Sequence, residues 1–109
     1  MSLSKFSYHN LDMGLGNLIK CVRTINVYKQ TRGKRLGELV EEFNIDAVSI
    51  ELLKTIITAN NDDPLLYDGY PLNKKQLKRI NDLLKNKIVF DHEKFDYVLE
   101  CYGIYDNIN

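Results

Sequence analysis

The sequence predicts an α+β fold in two layers: an antiparallel sheet made of two hairpins, with two helices packed on one of its faces. Three observations predict it. Segments of alternating apolar and polar residues occur early and late in the chain, segments with helical periodicity lie between them, and polar turns separate the pieces. The 109 residues suit one core, which we place in residues 18–109, after an N-terminal extension over residues 1–17.

The first hairpin is predicted from residues 18–29 and 36–45, which contain many β-branched residues and broadly alternate in polarity. The polar stretch QTRGK between them contains a glycine and is predicted to form the turn. We expect Ile25 to lie beside Leu39, a register that sets a basic strand against an acidic one. The face turned to the core is predicted to carry Cys21, Ile25, Val27, Leu39, Phe43 and Ile45.

Two helices are predicted in the middle of the chain. The first spans residues 47–59, and either Asp46 or Ser49 can cap it. The second begins after Asn73, which is followed three residues later by Gln76, the spacing of a capping box. The buried stripes are predicted to be Ile50, Leu53, Ile56 and Ile57 in the first helix and Leu77, Ile80, Leu83 and Leu84 in the second.

The second hairpin is predicted from a short strand at residues 87–90 and a longer strand at 95–104, joined by the turn DHEK. His92 in this turn is expected to be exposed to solvent. In the longer strand, alternation places Phe95, Tyr97, Leu99 and Cys101 on one face and Asp96, Val98, Glu100 and Tyr102 on the other.

The segment over residues 60–72 is longer than most connections between helices, and long connections often have a function. Two prolines and the turn Asp68-Gly69 give it a structural role. Its tyrosines and aspartates also suit a contact loop, because tyrosine offers a large contact area at low entropic cost. Catalysis is disfavoured, since Asp62 and Asp63 flank a helix end and are expected to be exposed, whereas general acids are usually buried.

The charged residues occur in blocks although the formal net charge is zero. Residues 1–37 and 73–89 are basic, whereas residues 38–72 and 90–109 are acidic. Neighbouring elements can neutralise one another, or one face can be left to attract a partner. The overall neutrality argues against a dedicated nucleic-acid-binding protein, which usually has a basic surplus.

No motif for a metal, a cofactor or a catalytic residue is recognised. Cys21 and Cys101, with His9 and His92, lack the spacing of metal ligands. The two cysteines are expected to be reduced and buried, although a disulfide is possible if their strands are neighbours. The chain has no apolar run long enough to cross a membrane and no signal-peptide block, so a cytoplasmic location is expected.

The runs DDPLLYDGYPLNKKQL and KIVFDHEKFDYVLECYGI resemble small bacterial proteins encoded near polymorphic toxins. The layout of the chain is also similar to that of the cloacin-type colicin immunity proteins. The resemblance implies a protein that binds a cognate toxin and blocks it, without chemistry of its own. The residues expected to bind the partner are Asp62, Asp63, Tyr67, Asp68, Tyr70, Asp96, Glu100 and Tyr102.

Two alternatives remain open. A nucleic-acid-binding or regulatory module would use the basic face of the second helix, formed by Lys74, Lys75, Lys78, Arg79 and Lys85, together with Arg32, Lys34 and Arg35 of the first turn. An enzyme would need a concave pocket with convergent polar groups, which a small two-layer domain seldom supplies. The sequence does not predict the oligomeric state.

Overall fold

In the part of the chain that the structure describes, an antiparallel sheet of four longer strands and one two-residue strand carries two helices, as the predicted α+β class requires. The computed structural model describes residues 2–7, 17–33 and 35–107. The elements in chain order are β1 (Ser2–Ser7), β2 (Asn17–Lys29), β3 (Leu39–Asn44), α1 (Ile50–Ile56), β4 (Tyr70–Pro71), α2 (Lys74–Asp82) and β5 (Phe95–Asn107).

The two longest strands, β2 and β5, pair along almost their whole length at the centre of the sheet. The strand order is β1-β5-β2-β3, and β4 pairs with β5 beside Val98 and Leu99. β1 lies within the stretch that the sequence sets apart as an N-terminal extension, and it pairs with the C-terminal half of β5. The chain ends of the described part therefore meet in one antiparallel ladder.

The predicted register of the first hairpin is wrong. Ile25 lies beside Phe43 rather than Leu39. The displacement is an even number of residues, so Phe43 keeps its predicted face, because side chains alternate with a period of two. A bulge opposite Val27 and Tyr28 then changes the alternation, and Leu39 is left 44% exposed.

The core lies between the helices and one face of the sheet. Ile25 and Val27 of β2 and Tyr97 and Leu99 of β5 belong to one buried cluster with side chains from both helices. Burial of these apolar side chains is the main term that stabilises the fold, at roughly 25 cal/mol per Å². The helical members and their neighbours in this cluster include Leu53, Ile57, Leu66, Leu72, Leu77, Ile80 and Ile88.

α2 begins where the sequence predicts, whereas α1 begins at Ile50, three residues after the predicted start, and Ser49 rather than Asp46 is its cap. The Ser49 hydroxyl accepts a hydrogen bond from the Leu52 amide, and Asn73 and Gln76 form the predicted capping box. Both helices are short. α1 ends at Ile56 because the next residue adopts an extended backbone conformation. The end of α2 at Asp82 leaves Leu83 exposed, contrary to its predicted place in the buried stripe.

The predicted strand at residues 87–90 is not formed. The side-chain amide of Asn81 instead makes two hydrogen bonds to the backbone of Ile88, at 2.9 and 2.7 Å, as a neighbouring strand would. Lys87 donates to three carbonyl groups at the end of α2, which fixes the segment against that helix. The strand that accompanies β5 here is β4, from the long connection between the helices.

Neither helix in the described part of the chain is long and apolar enough to cross a membrane.

Candidate functional site

The face of the sheet that turns away from the helices carries most of the charged and polar side chains of β2 and β5. Along β5, Asp96, Glu100 and Tyr102 alternate with the core residues, as the sequence predicts. The register sets Tyr28 beside Asp96 and Thr24 beside Glu100. We call this surface the polar face, and its members are Thr24, Asn26, Tyr28, Glu42, Asn44, Asp96, Glu100 and Tyr102.

The carboxylate of Glu100 is held by hydrogen bonds from β2. Asn26 Nδ2 donates to Glu100 Oε2 at 2.7 Å, and the Tyr28 hydroxyl donates to the same oxygen. Thr24 Oγ1 in turn donates to Asn26 Oδ1 at 2.6 Å. Since Thr24 and Asn26 are both buried, the carboxylate is fixed in orientation although Glu100 itself is half-buried.

Burial and the neighbouring Glu100 carboxylate raise the pKa of the Tyr28 hydroxyl above its usual value. Tyr28 therefore stays protonated at neutral pH and remains a donor to Glu100. Within the described part of the chain, the second carboxylate oxygen of Glu100, Oε1, receives no hydrogen bond, so a partner could donate to it. A carboxylate with this arrangement suits a lysine or arginine side chain.

The connection between the helices is organised around Asp63, which is only 5% exposed. Its carboxylate accepts hydrogen bonds from the amides of Tyr67 and Asp68, at 2.7 and 2.8 Å, and from the Tyr70 hydroxyl at 2.5 Å. The expectation that Asp63 is exposed is wrong, because the pairing of β4 with β5 draws the connection onto the sheet. Asp62 is exposed, as expected.

Tyr70 is buried, and its hydroxyl also accepts a hydrogen bond from the Asn60 amide at 3.1 Å. Burial, followed by the bond to Asp63, raises the pKa of this hydroxyl above its usual value. Asp63 and Tyr70 thus stabilise the connection through buried hydrogen bonds, and neither side chain is available to a partner. Asp68 is half-buried and accepts a hydrogen bond from Asn60 Nδ2 at 3.1 Å.

Arg23 places the middle of this connection on the helix side of the sheet. It lies on the same face of β2 as Ile25, and its Nη2 donates to the Leu65 carbonyl at 2.5 Å. Its guanidinium carbon lies 5.6 Å from the centre of the Tyr67 ring, a cation–π contact. The eight residues predicted to bind a partner therefore form two groups, one in the connection and one on the polar face.

His92 is half-buried rather than exposed to solvent. Its ring lies 5.0 Å from that of Tyr97 and 5.7 Å from that of Phe90, and Nε2 lies 3.2 Å from the Leu72 carbonyl oxygen. The expectation of a solvated turn residue fails because the turn folds back onto the aromatic end of β5. We assign His92 a packing role.

Cys21 and Cys101 are both free thiols, as expected, but the expectation that both are buried is wrong for Cys21, which is half-buried. They occupy diagonal positions on the same face of the β2–β5 ladder, since Cys21 lies beside Gly103. Cys101 is buried, and burial raises the pKa of its thiol to about 11. Such a thiol is a poor nucleophile at neutral pH. In the described residues no group of histidine, cysteine and carboxylate side chains could hold a metal ion.

The basic face of α2 is exposed and turns away from the sheet. None of its cations forms an ion pair within residues 2–7, 17–33 and 35–107. In the loop after β2, Arg32 and Arg35 are exposed, and Lys34 lies outside the described residues. The cations of the basic face are Lys74, Lys75, Lys78, Arg79 and Lys85.

A cleft of about 290 Å³ lies between the end of β3 and the loop that follows α2. Phe43, Leu84 and Ile88 give it an apolar lining, and Asn44 and Lys85 stand among its polar groups. Lys85 is the one charged side chain among its lining residues, and no carboxylate, histidine or cysteine is among them. The cleft therefore suits an apolar side chain better than it suits a reaction.

Asn26 and Tyr28, which donate hydrogen bonds to Glu100, are among the members of the polar face that the sequence-based site prediction omits. The alternation of β2 puts them on one face, but only the pairing of β2 with β5 brings them to Glu100, which is more than seventy residues away. Asn26 and Tyr28 could have been predicted from the alternation of polar and apolar residues in β2 and β5 if the two strands had been assumed to be neighbours.

Residues 22–100 match the model of a protein family described as a domain of unknown function (DUF7683). This range includes the whole of β3, α1, β4 and α2, and most of the polar face. No match was found among curated proteins or among solved structures.

Proposed function

The chain belongs to the DUF7683 family, and we propose that it is a non-catalytic protein-binding domain that acts as an immunity-type inhibitor of a bacterial toxin. Its place of action on this proposal is the cytoplasm, where the toxin would otherwise act. The proposed binding surface is the polar face, with Asp62, Tyr67 and Asp68 of the helix connection as a second, separate group.

The observation that supports this proposal most is the oriented carboxylate of Glu100. A side chain held by Asn26 and Tyr28 loses little freedom when a partner binds, so more of the interaction energy appears as affinity. Tyr28 and Tyr102 stand on the same face, and tyrosines often contribute strongly to protein interfaces. Asp96 and Glu42 add negative charge around them.

The distribution of charge supports the same surface. The acidic side chains of the polar face and the basic side chains of α2 lie on opposite sides of the molecule, so they do not neutralise each other locally. A negative surface attracts a basic partner and speeds the encounter, an effect that salt weakens. Toxins that act on nucleic acids need basic active sites, to which such a surface is complementary.

Co-expression of the chain with the toxin domain encoded beside its gene tests this proposal. We expect the native chain to protect the cells and to be recovered in complex with the toxin. Glu100→Gln keeps the shape and the hydrogen-bond acceptor but removes the charge, and it should weaken the complex at least tenfold.

Glu51→Gln is the matched control, because it removes one carboxylate from the exposed surface of α1 on the helix side. It should leave both protection and affinity unchanged. Cells that die equally with and without the native chain would rule out the immunity role. Equal weakening by both variants would rule out the polar face.

A nucleic-acid-binding role is the second candidate, favoured by the exposed cations of α2, which form no ion pair with another residue of the described part of the chain. Binding through phosphate contacts loses affinity steeply with salt, so the logarithm of the affinity for a 20-base-pair duplex should fall linearly with the logarithm of salt concentration. Lys74→Gln with Lys78→Gln should reduce that slope. A chain that shows no affinity for the duplex at low salt would remove this candidate.

A further inference from the structure

The ladder between β2 and β5 places its two cysteines at neighbouring positions on one face. Cys101 lies directly beside Arg23. Cys21, two residues earlier in β2, lies beside Gly103, so the two cysteines are diagonal partners. The Arg23 carbonyl accepts a hydrogen bond from the Ile45 amide at 3.0 Å, so the backbone groups of Arg23 point away from β5. Arg23 and Cys101 therefore form a non-hydrogen-bonded pair, the type in which side chains lie closest.

The separation of diagonal partners is slightly larger than an unstrained disulfide spans. Diagonal Cα atoms of an antiparallel pair lie about 7–8 Å apart, with their Cβ atoms somewhat closer. The Cα atoms joined by a disulfide usually lie about 4.4–6.8 Å apart, and a larger separation strains the bond. A bond between Cys21 and Cys101 therefore needs the two strands to shift by roughly 1 Å, and its strain makes it easy to reduce.

The surroundings of Cys21 permit such a shift. Among the residues that the structure describes, β3 pairs with β2 only over residues 24–28, so no strand holds the other edge of β2 at Cys21. The ladder with β5 is irregular over residues 18–20, and such bulges disrupt the pairing locally. Gly103 has no side chain, so none stands directly across the ladder from the Cys21 sulfur on its way to Cys101.

The two thiols differ in a way that suits a first point of attack and a resolving thiol. Cys21 is half-buried and open to a small oxidant, whereas Cys101 is only 5% exposed. Burial raises the pKa of the Cys101 thiol to about 11, although the charge of Arg23 lowers it in part. Cys101 therefore reacts slowly with external reagents, but its place in the ladder gives it a high effective concentration toward Cys21.

We propose that Cys21 and Cys101 are a peroxide-responsive pair that closes a reversible disulfide between β2 and β5. The Cys21 sulfur attacks hydrogen peroxide, the O–O bond breaks, and the hydroxide that leaves takes up the thiol proton, so that Cys21 becomes a sulfenic acid. The Cys101 sulfur then attacks the Cys21 sulfur, the S–O bond breaks, and the hydroxyl leaves with the Cys101 proton as water. One peroxide thus accepts two electrons and two protons from the two thiols.

The return step is thiol–disulfide exchange. Two molecules of glutathione reduce the bond and become one oxidised glutathione, and a strained bond favours this direction. Disulfides of cytosolic proteins are usually transient, as this one would be. The pair goes beyond the proposed function and does not depend on it. Because Cys101 stands between Glu100 and Tyr102 in β5, closing the bond shifts the backbone that carries both of these members of the polar face.

Mass spectrometry of the native chain tests the proposal. The reduced chain is treated with one equivalent of hydrogen peroxide and then, after denaturation, with iodoacetamide. We expect a monomer that has lost two hydrogen atoms and takes up no iodoacetamide. Trypsin cuts after Lys20, Arg23 and Lys94, so the bond should join residues 21–23 to residues 95–109. Millimolar reduced glutathione should restore both thiols.

Single substitutions separate the two roles. In Cys101→Ala, the sulfenic acid on Cys21 cannot be resolved, and dimedone should trap it at a yield at least tenfold higher than in the native chain. In Cys21→Ala, peroxide should leave the buried Cys101 thiol unmodified. The closing step in the native chain should quicken about tenfold per pH unit from pH 7 to pH 9, because the thiolate fraction of Cys101 grows by that factor below its pKa.

A covalent dimer would overturn the proposal, as would a monomer that gains oxygen atoms while Cys101 stays free. Two free thiols after peroxide treatment would overturn it as well. A bond that resists glutathione would exclude a strained and reversible link. These four outcomes are measured on the native chain, so they decide the matter even where a cysteine variant fails to fold.

Discussion

At the scale of single residues, Asp63 is a buried carboxylate that organises the connection between the helices. It accepts three hydrogen bonds in a buried place, two from backbone amides and one from Tyr70. Asp63→Ala leaves these donors without an acceptor, and we expect the free energy of unfolding to fall by about 3 kcal/mol. Urea denaturation followed by circular dichroism measures this change.

Asp62→Ala is the control, because its carboxylate is adjacent in sequence and exposed. A surface substitution of this kind should change the free energy of unfolding by less than about 0.5 kcal/mol. Similar losses for both variants would show that Asp63 does not organise the connection. The sequence could not predict the role of Asp63, since the prolines and aspartates around it are typical of an exposed turn. The burial of Asp63 depends on its hydrogen bond with Tyr70, which the sequence does not indicate.

The two cysteines should differ in reactivity. Burial raises the pKa of the Cys101 thiol to about 11, so almost none of it is thiolate at pH 8, whereas Cys21 is only half-buried. We expect a thiol reagent at pH 8 to modify Cys21 at least tenfold faster than Cys101. The rate measured on Cys101→Ala is that of Cys21, and the rate measured on Cys21→Ala is that of Cys101. Equal modification rates in the two variants would contradict the prediction.

At the scale of elements, the connection from β2 to β3 depends on Gly37. A Cβ atom at this position would lie 2.1 Å from the Lys29 carbonyl oxygen, a backbone atom that cannot move aside alone. Gly37→Ala should therefore lower the free energy of unfolding by about 1–3 kcal/mol. Gly33→Ala, in the same connection but with no atom within 4 Å, should change it by less than about 0.5 kcal/mol.

The same elements show what could be predicted from sequence and what could not. The capping box of α2 was predictable because Asn73 and Gln76 act over one helical turn. The segment at residues 87–90 has the composition of a strand, but the Asn81 side chain pairs with Ile88 and replaces a neighbouring strand. The β2–β3 register failed because the connection between the strands extends over residues 30–38, beyond the predicted turn QTRGK, and a bulge opposite Val27 and Tyr28 shifts the pairing by one further residue.

At the scale of the whole molecule, stability should decline at alkaline pH. The pKa values of Tyr28 and Tyr70 are raised above the usual 10.0, chiefly by burial. Above about pH 10 the unfolded chain therefore loses protons that the folded chain keeps, and the free energy of unfolding falls as pH rises. Below about pH 10, the contribution of the two tyrosine hydroxyls to the free energy of unfolding is fully present. Urea denaturation between pH 8 and pH 11 measures the slope.

Tyr28→Phe combined with Tyr70→Phe should make this decline shallower, whatever the variant's stability at neutral pH. An unchanged slope would show that the two hydroxyls do not contribute. Burial also raises the pKa of the Cys101 thiol from 9.0 to about 11, so Cys101 makes the free energy of unfolding begin to fall nearer pH 9. Cys101→Ala should remove this part of the fall.

The polar face illustrates how far sequence reasoning extends for a site. Alternation within β5 was sufficient to place Asp96, Glu100 and Tyr102 together. The hydrogen bonds that orient Glu100 come from β2, and pairing between distant strands depends on the packing of the whole sheet. A single sequence therefore indicates the charge of the surface but not the residues that fix its geometry.

The polar face carries Glu42, Asp96 and Glu100, whereas α2 carries Lys74, Lys75, Lys78 and Arg79, so these two surfaces differ in the sign of their charge although the net charge of the chain is zero. Near the isoelectric point in dilute buffer, molecules should align head to tail and make the solution turbid. About 0.15 M salt, which shortens the Debye length to roughly 8 Å, should clear it. The chain's solubility would then follow ionic strength more closely than pH.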